Sequence, residues 1–192
     1  MQIKTIIFDF FGVISCEVAP RWFGERFLPD EAVRLKNEKI TPADRGDIDE
    51  EEMLRSLSRI SGERPEDIMA EWLSIARINP EVTELIIRLR KNYKIVLLSN
   101  APGMLLGRIL MRDNLYPLFD QMVISCLEGK IKPEEPIYRL ALKRGECTPE
   151  ESIMIDDNET NIEAANRIGI NGIVYRGIDD LKDRLLSLGI KI

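Results

Sequence analysis

Lys4-Thr5-Ile6-Ile7-Phe8-Asp9-Phe10-Phe11-Gly12-Val13-Ile14 is the stretch on which the fold turns. Ile6, Ile7 and Phe8 are apolar without alternation, as in a strand buried on both faces at the centre of a parallel sheet. Asp9 stands where that strand should end, and Gly12 lets the chain turn sharply beside a ligand. Open α/β sheets take their ligands beyond the carboxyl ends of the strands, so a carboxylate at this tip is a candidate for chemistry. The same aspartate would also serve as an ordinary turn or helix cap, and this stretch alone leaves both readings open.

The C-terminal half repeats the pattern. Ile95-Val96-Leu97-Leu98 is a short apolar strand ending in Ser99-Asn100, and Met122-Val123-Ile124 ends in Ser125. After the loop Gly129-Lys130-Ile131-Lys132-Pro133, Ile153-Met154-Ile155 ends in Asp156-Asp157, and Gly172-Ile173-Val174-Tyr175 makes a fifth strand. Between them lie amphipathic segments at Gly103 to Met111, at Ile137 to Leu142 (stopped by Gly145), at Thr160 to Ile168 (closed by a left-handed Gly169) and at Leu181 to Leu188. Thr148-Pro149-Glu150-Glu151 has the form of a capping box confined to a single turn. Helices alternating with apolar strands predict a parallel sheet with right-handed crossovers, a Rossmann-like α/β core.

Residues 15–80 interrupt that pattern and carry no strand signal. Pro20 can open a helix with Trp22, Phe23 and Phe27 on its apolar side. The acidic run Asp47 to Glu52 suits the positive end of a helix that then buries Met53, Leu54, Leu57 and Ile60. It lacks the glycine and the distant glutamate of a calcium loop. Pro65 starts a helix carrying Ile68 and Trp72, and Pro80 starts one carrying Val82, Leu85, Ile86 and Leu89. The expected organisation is a core of residues 1–14 and 81–192 with an all-helical subdomain inserted after the first strand.

Composition narrows the chemistry. The 192 residues include no histidine, which excludes Ser-His-Asp and Cys-His catalysis and imidazole metal sites. A net charge of −6 argues against a nucleic-acid partner. Cys16, Cys126 and Cys147 lack metal-ligand spacing and read as reduced thiols. No apolar run is long enough to span a bilayer, and the first strand is too short and acid-tipped for a signal peptide, so the expected location is the cytoplasm. What remains for chemistry stands at the strand ends: Asp9, Ser99-Asn100, Ser125 before Lys132, and Asp156-Asp157. Carboxylates from separate segments can hold magnesium, a lysine and a hydroxyl can hold phosphoryl oxygens, and one carboxylate can act as a nucleophile.

These four segments, in this order, resemble the motifs of the haloacid dehalogenase superfamily. Phe8-Asp9-Phe10-Phe11-Gly12-Val13 is similar to its first motif, Val96 to Asn100 to its second, Gly129 to Tyr138 to its third, and Ile155-Asp156-Asp157 with Asn161, Ala164 and Ala165 to its fourth. The resemblance covers nearly the whole chain, and the insert falls where the family carries a small helical cap. Arg45 to Glu51 is similar to the cap of its sugar-phosphate phosphatases and epoxide-hydrolase-associated phosphatase domains. The resemblance implies a magnesium-dependent phosphatase of a small phosphorylated metabolite. In it Asp9 is nucleophile and metal ligand, and Ser99, Asn100, Lys132 and Gly12 attend the phosphate. Asp157, with Asp156 beside it, and the main-chain carbonyl of Phe11 complete the metal site. Phe11 departs from the pattern, because family phosphatases usually place an aspartate there to protonate the leaving group. An aromatic residue at that position is a dehalogenase feature, whereas the acid pair Asp156-Asp157 is not. A metal-free 2-haloacid dehalogenase and a catalytically weak binding protein therefore stand as alternatives, and if another residue supplies the proton the cap acids, Glu17 first, are the ones to test.

Overall fold

In the computed structural model, which describes residues 2–192, strands form where the apolar runs lie. β1 spans Thr5–Phe8, β2 Lys94–Ser99, β3 Gln121–Ile124, β4 Ser152–Asp156 and β5 Asn171–Val174. They make one parallel sheet in the order β3-β2-β1-β4-β5, with Phe8 opposite Leu97 on one side and Ile155 on the other. Ile7, Val96, Leu98 and Met154 pack toward helices α9 (Glu135–Gly145) and α10 (Glu159–Arg167). Ile6, Phe8, Leu97 and Ile155 belong to the opposite layer, which includes α6 (Pro80–Leu89), α7 (Gly103–Arg112) and α11 (Ile178–Ser187). Each such side chain, fully out of water, stabilises the fold by roughly 1.5–3 kcal/mol. From β1 the chain builds β2 and β3 on one side, then crosses to β4 and β5 on the other. The strand order reverses between β1 and β4, which is where an open α/β sheet leaves a crevice at its carboxyl edge.

Between β1 and α6 the chain folds as five helices: α1 (Ala19–Gly24), α2 (Pro29–Lys39), α3 (Thr41–Arg45), α4 (Glu50–Ser61) and α5 (Pro65–Ile75). The acidic run does open a helix: the Asp49 carboxylate caps α4 by accepting the Glu52 N–H at 2.7 Å. Trp22 and Trp72 meet edge to face, with ring centroids 6.2 Å apart. Arg26 lies over the Trp22 ring and pairs with Glu63 and Glu71. Helices α2 and α3 are additions to the sequence reading. Their buried apolar positions are sparse (Ala32, Leu35 and Ala43), so periodicity is weak, although Pro29-Asp30-Glu31 is an ordinary helix start.

Several bonds tie these helices to the sheet domain. The buried Glu50 carboxylate caps α7, accepting the Met104 and Leu105 N–H groups at 2.8 and 3.1 Å. Ser125 Oγ accepts the Ala101 N–H and donates to the Asp44 carbonyl. Arg45 makes a two-pronged pair with Glu134 at 3.0 and 2.6 Å. Arg112 reaches the carbonyls of Leu73 and Ala76 at the end of α5. Ser125, grouped by its position with the chemistry of the strand ends, thus serves as a strut. It opens α8 (Ser125–Glu128), a short helix between the third strand and the loop that carries Lys132. Gly145 is likewise corrected: it is the last residue of α9 and Glu146 takes the left-handed turn, while a Cβ on Gly145 would lie 2.9 Å from Thr5 Cγ2. Close packing on β1 explains that glycine. Among the described residues no helix is long and apolar enough to cross a membrane.

Candidate active site

The strand order brings three of the expected side chains together at the crevice. Asp9 follows β1, and its N–H extends the ladder to the Ile155 carbonyl at 2.9 Å, which aims the residue out of the sheet edge. Its Oδ1 accepts the Phe10 N–H at 2.6 Å, and its Oδ2 lies 2.7 Å from Lys132 Nζ. The same ammonium donates to Asp156 Oδ2 at 2.6 Å. Lys132 is 3% exposed and Asp156 is not exposed at all, so this is a buried two-acid, one-base cluster.

The cluster is held from behind. Asn161 Nδ2 donates to both oxygens of Asp156 at 3.1 Å, and the Asn158 N–H donates to Oδ1 at 2.9 Å. Tyr138 donates to the Asn161 carbonyl at 2.9 Å, which turns the third and fourth motifs toward each other. Asn100 grips the main chain of Lys132 with both ends of its amide, accepting from the N–H and donating to the carbonyl, each at 2.9 Å. Asn100, expected at the phosphate, is therefore committed to setting the lysine, though it still reaches the cavity wall. Ser99 lies beneath: its hydroxyl is buried and has no hydrogen-bond partner. An orphaned hydroxyl under a cluster that can take oxyanions is what an absent acceptor leaves behind.

Carboxylate oxygens of Asp9, Asp156 and Asp157 lie within 4.8 Å of one another. Burial, then the neighbouring Asp156 charge, pushes Asp9 well above the usual carboxylate range, outweighing Lys132. Asp157 is raised by burial and by Asp156 as well. Burial opposes the charge on Lys132, but Asp156 and Asp9 overcome it and hold the ammonium above its ordinary value. Three acids facing one ammonium suit a divalent cation, whose charge would relieve both raised carboxylates. Among the described residues no hydrogen bond ends on the Phe11 carbonyl, so that oxygen is free to join them.

Gly12 has a different part from the phosphate contact expected of it. Its N–H is already given to the Ser15 carbonyl at 2.7 Å, while φ is +80° and a Cβ would fall on the Asp157 carboxylate. Gly12→Ala is expected to push Asp157 aside and weaken magnesium binding by roughly 10–100-fold, the scale seen when support of a metal ligand is disturbed. Calorimetry reads this directly, and unchanged affinity would show that Asp157 is no ligand.

Above the cluster lies a cavity of about 330 Å³. Asp9, Phe11, Lys132 and Asp157 form its floor, and the inserted segment supplies Glu17, Lys36, Thr41, Asp44 and Trp72. Burial raises Glu17, and it takes Asp44 up to about 7 against the pull of Lys36. Lys36, Thr41 and Asp44 went unread because they sit on α2 and α3, the two helices with little periodicity. The Pro-Asp-Glu start of α2 was the available signal.

A family model described as haloacid dehalogenase-like hydrolase matches residues 3–169. D-ribitol-5-phosphate phosphatase of Bacteroides thetaiotaomicron is 26% identical over 184 residues, covering 88% of this chain and 89% of that one. A phosphorylated carbohydrates phosphatase of Thermotoga maritima is 32% identical over 55% of this chain and 49% of that one. The fold is shared with a HAD family enzyme of Bacteroides thetaiotaomicron, with TM-score 0.80 at 22% identity over 96% of this chain and 99% of that one. A complex of that enzyme with magnesium and inorganic phosphate aligns with TM-score 0.74 at 23% identity, covering 91% and 94%.

Proposed function

The chain belongs to the haloacid dehalogenase-like hydrolases, and from that premise we propose that it is a magnesium-dependent phosphatase of small phosphorylated metabolites, working through Asp9. The observation that carries the reading is the gathering of Asp9, Asp156 and Asp157 around one lysine at the floor of a metabolite-sized cavity. The phosphatases among its relatives, which act on ribitol 5-phosphate and on phosphorylated carbohydrates, support the same class of substrate.

In this reading Asp9 attacks phosphorus, the alcohol leaves, and water then releases phosphate from the aspartyl phosphate. Lys132 stands between the carboxyl groups of Asp9 and Asp156 and offers its charge to the phosphoryl oxygens. Asp156, bonded on every side, positions the lysine, whereas the more open Asp157 faces the ligand. Asp9, Asp157 and the Phe11 carbonyl would hold magnesium, which when bound neutralises charge on the transferred group. The helices within residues 15–80 act as a cap over the core formed by 1–14 and 81–192, excluding water and selecting the organic part of the substrate.

Phe11 on the cavity floor is the one feature that favours a dehalogenase. The deciding assay compares magnesium-dependent phosphate release from p-nitrophenyl phosphate and a set of polyol and sugar phosphates with chloride release from 2-chloropropionate. Phosphate release that disappears with chelator is expected. Chloride release without magnesium would replace the reading by a dehalogenase, and neither product would replace it by a binding protein.

A further inference from the structure

An alkoxide leaves phosphorus poorly unless it is given a proton, and Phe11, two residues after Asp9, has none to give. In-line displacement sets the leaving oxygen opposite the attacking one. Asp9 attacks from the sheet edge, so the leaving oxygen lies on the far side of phosphorus within the cavity, to which α2 and α3 contribute a wall with Lys36, Thr41 and Asp44. That wall carries a carboxyl group. We propose that Asp44, resting on the phosphatase reading above, is the general acid that protonates the leaving alcohol and the base that then activates water.

Asp44 is placed for this by three ties between α3 and the segment that carries Lys132. Its carbonyl accepts from Ser125, its neighbour Arg45 is clamped to Glu134 two residues beyond Lys132, and a Cβ on Gly46 would run into the Cys126 carbonyl. The helix that carries Asp44 is thus stapled to the segment that carries Lys132, and both residues line the one cavity. Glu17, Lys36 and Lys132 are the charged groups that act on it, and the enclosure leaves it near 7, so both protonation states are at hand around neutral pH. Glu17 also lines the cavity, but the charges bearing on it include Asp157 and Asp156, the metal side of the floor. A cation there would hold Glu17 ionised, which suits a ligand-facing anion better than an acid.

The steps balance. As an oxygen of Asp9 bonds to phosphorus, the bond from phosphorus to the alcohol oxygen breaks with its electron pair, and that oxygen takes the proton of Asp44. The alcohol leaves, and Asp44 is a carboxylate. Water then attacks phosphorus, Asp44 takes its proton, the bond to Asp9 breaks, and phosphate departs with Asp44 protonated again.

The test measures first-turnover rates, which read transfer to Asp9 alone, on glycerol 2-phosphate and p-nitrophenyl phosphate with magnesium. Asp44→Asn keeps size and main-chain bonds, with Asp44→Ser as a second variant and circular dichroism as the check on folding. In Asp44→Asn the ratio of the p-nitrophenyl rate to the glycerol rate should rise by roughly 10²–10⁴-fold, the usual worth of a general acid, because nitrophenolate needs no proton to leave. Asp44→Glu should recover part of the glycerol rate. An unchanged ratio in both folded variants overturns the assignment, and so does the selective loss appearing in Glu17→Gln instead. Absence of nitrophenolate release by the wild type overturns the phosphatase reading itself, and the role of Asp44 with it.

Discussion

Lys132→Met should cost about 3–5 kcal/mol of folding stability at neutral pH, the usual result of removing one partner from a buried ion pair. The substitution leaves two carboxylates, Asp9 and Asp156, out of water with no cation between them. Its effect should depend on pH in a defined direction. Asp9 already sits above the usual carboxylate range, and losing Lys132 removes the influence that lowers it. A carboxylate raised in the folded state favours folding when protonated and penalises it as pH rises through the gap between its unfolded and folded values. The deficit should therefore shrink as pH falls toward about 4, the ordinary carboxylate value. The contribution of Lys132 in the wild type has the opposite shape. Its folded value is raised, so the stabilisation is complete below the ordinary lysine value of about 10.4 and is lost only above it. Urea denaturation of both proteins at pH 7 and pH 5 separates these cases, and a deficit that grows on acidification would contradict the cluster described.

Asp9→Asn should abolish turnover while leaving the protein at least as stable. In the proposed reading this removes the nucleophile and closes the covalent route, and losses on the order of 10⁶ accompany such removals in other covalent enzymes. Stability moves the other way because the ionised Asp9 is unfavourable where it stands, owing to burial and the charge of Asp156. Lys132 keeps Asp156 as its partner in the variant. Thermal melts without divalent cation should show an equal or higher midpoint for Asp9→Asn, and magnesium should raise the midpoint of the wild type far more than that of the variant. A markedly lower midpoint, or retained turnover, would remove Asp9 from the centre of the site. Function held at a cost in stability is common where like charges are gathered to do chemistry.

The sheet and its tips were legible because burial on both faces leaves a sequence mark. The runs around Ile7, Leu97, Val123 and Met154 carry no alternation, and each ends in a polar residue that has no place in such a core. Asp9, Lys132, Asp156 and Asp157 follow from that mark. What the tips do to one another does not. The amide of Asn100 gripping Lys132, the hydroxyl of Ser125 tying α3 down and Gly12 making room for Asp157 depend on contacts between segments up to 145 residues apart. The cavity roof was least legible. Asp44 rides on a short helix tied down by Arg45 and Ser125, and Lys36 on α2, whose buried apolar positions are only Ala32 and Leu35, so nothing in their local pattern marks which way they face. Glu17, on the short link after the first strand, is the first of the cap acids the sequence offers, and it does reach the cavity.

In the proposed reaction Asp9 takes the phosphoryl group onto its own carboxylate. Rapid acid quench during turnover of p-nitrophenyl phosphate with magnesium, followed by proteolysis and peptide mass spectrometry, tests it most directly. A hydroxylamine-labile phosphoryl group is expected on the peptide that contains Asp9, and none in Asp9→Asn. Phosphate release proceeding with no phosphorylated peptide, or with the phosphoryl group on another residue, would contradict it.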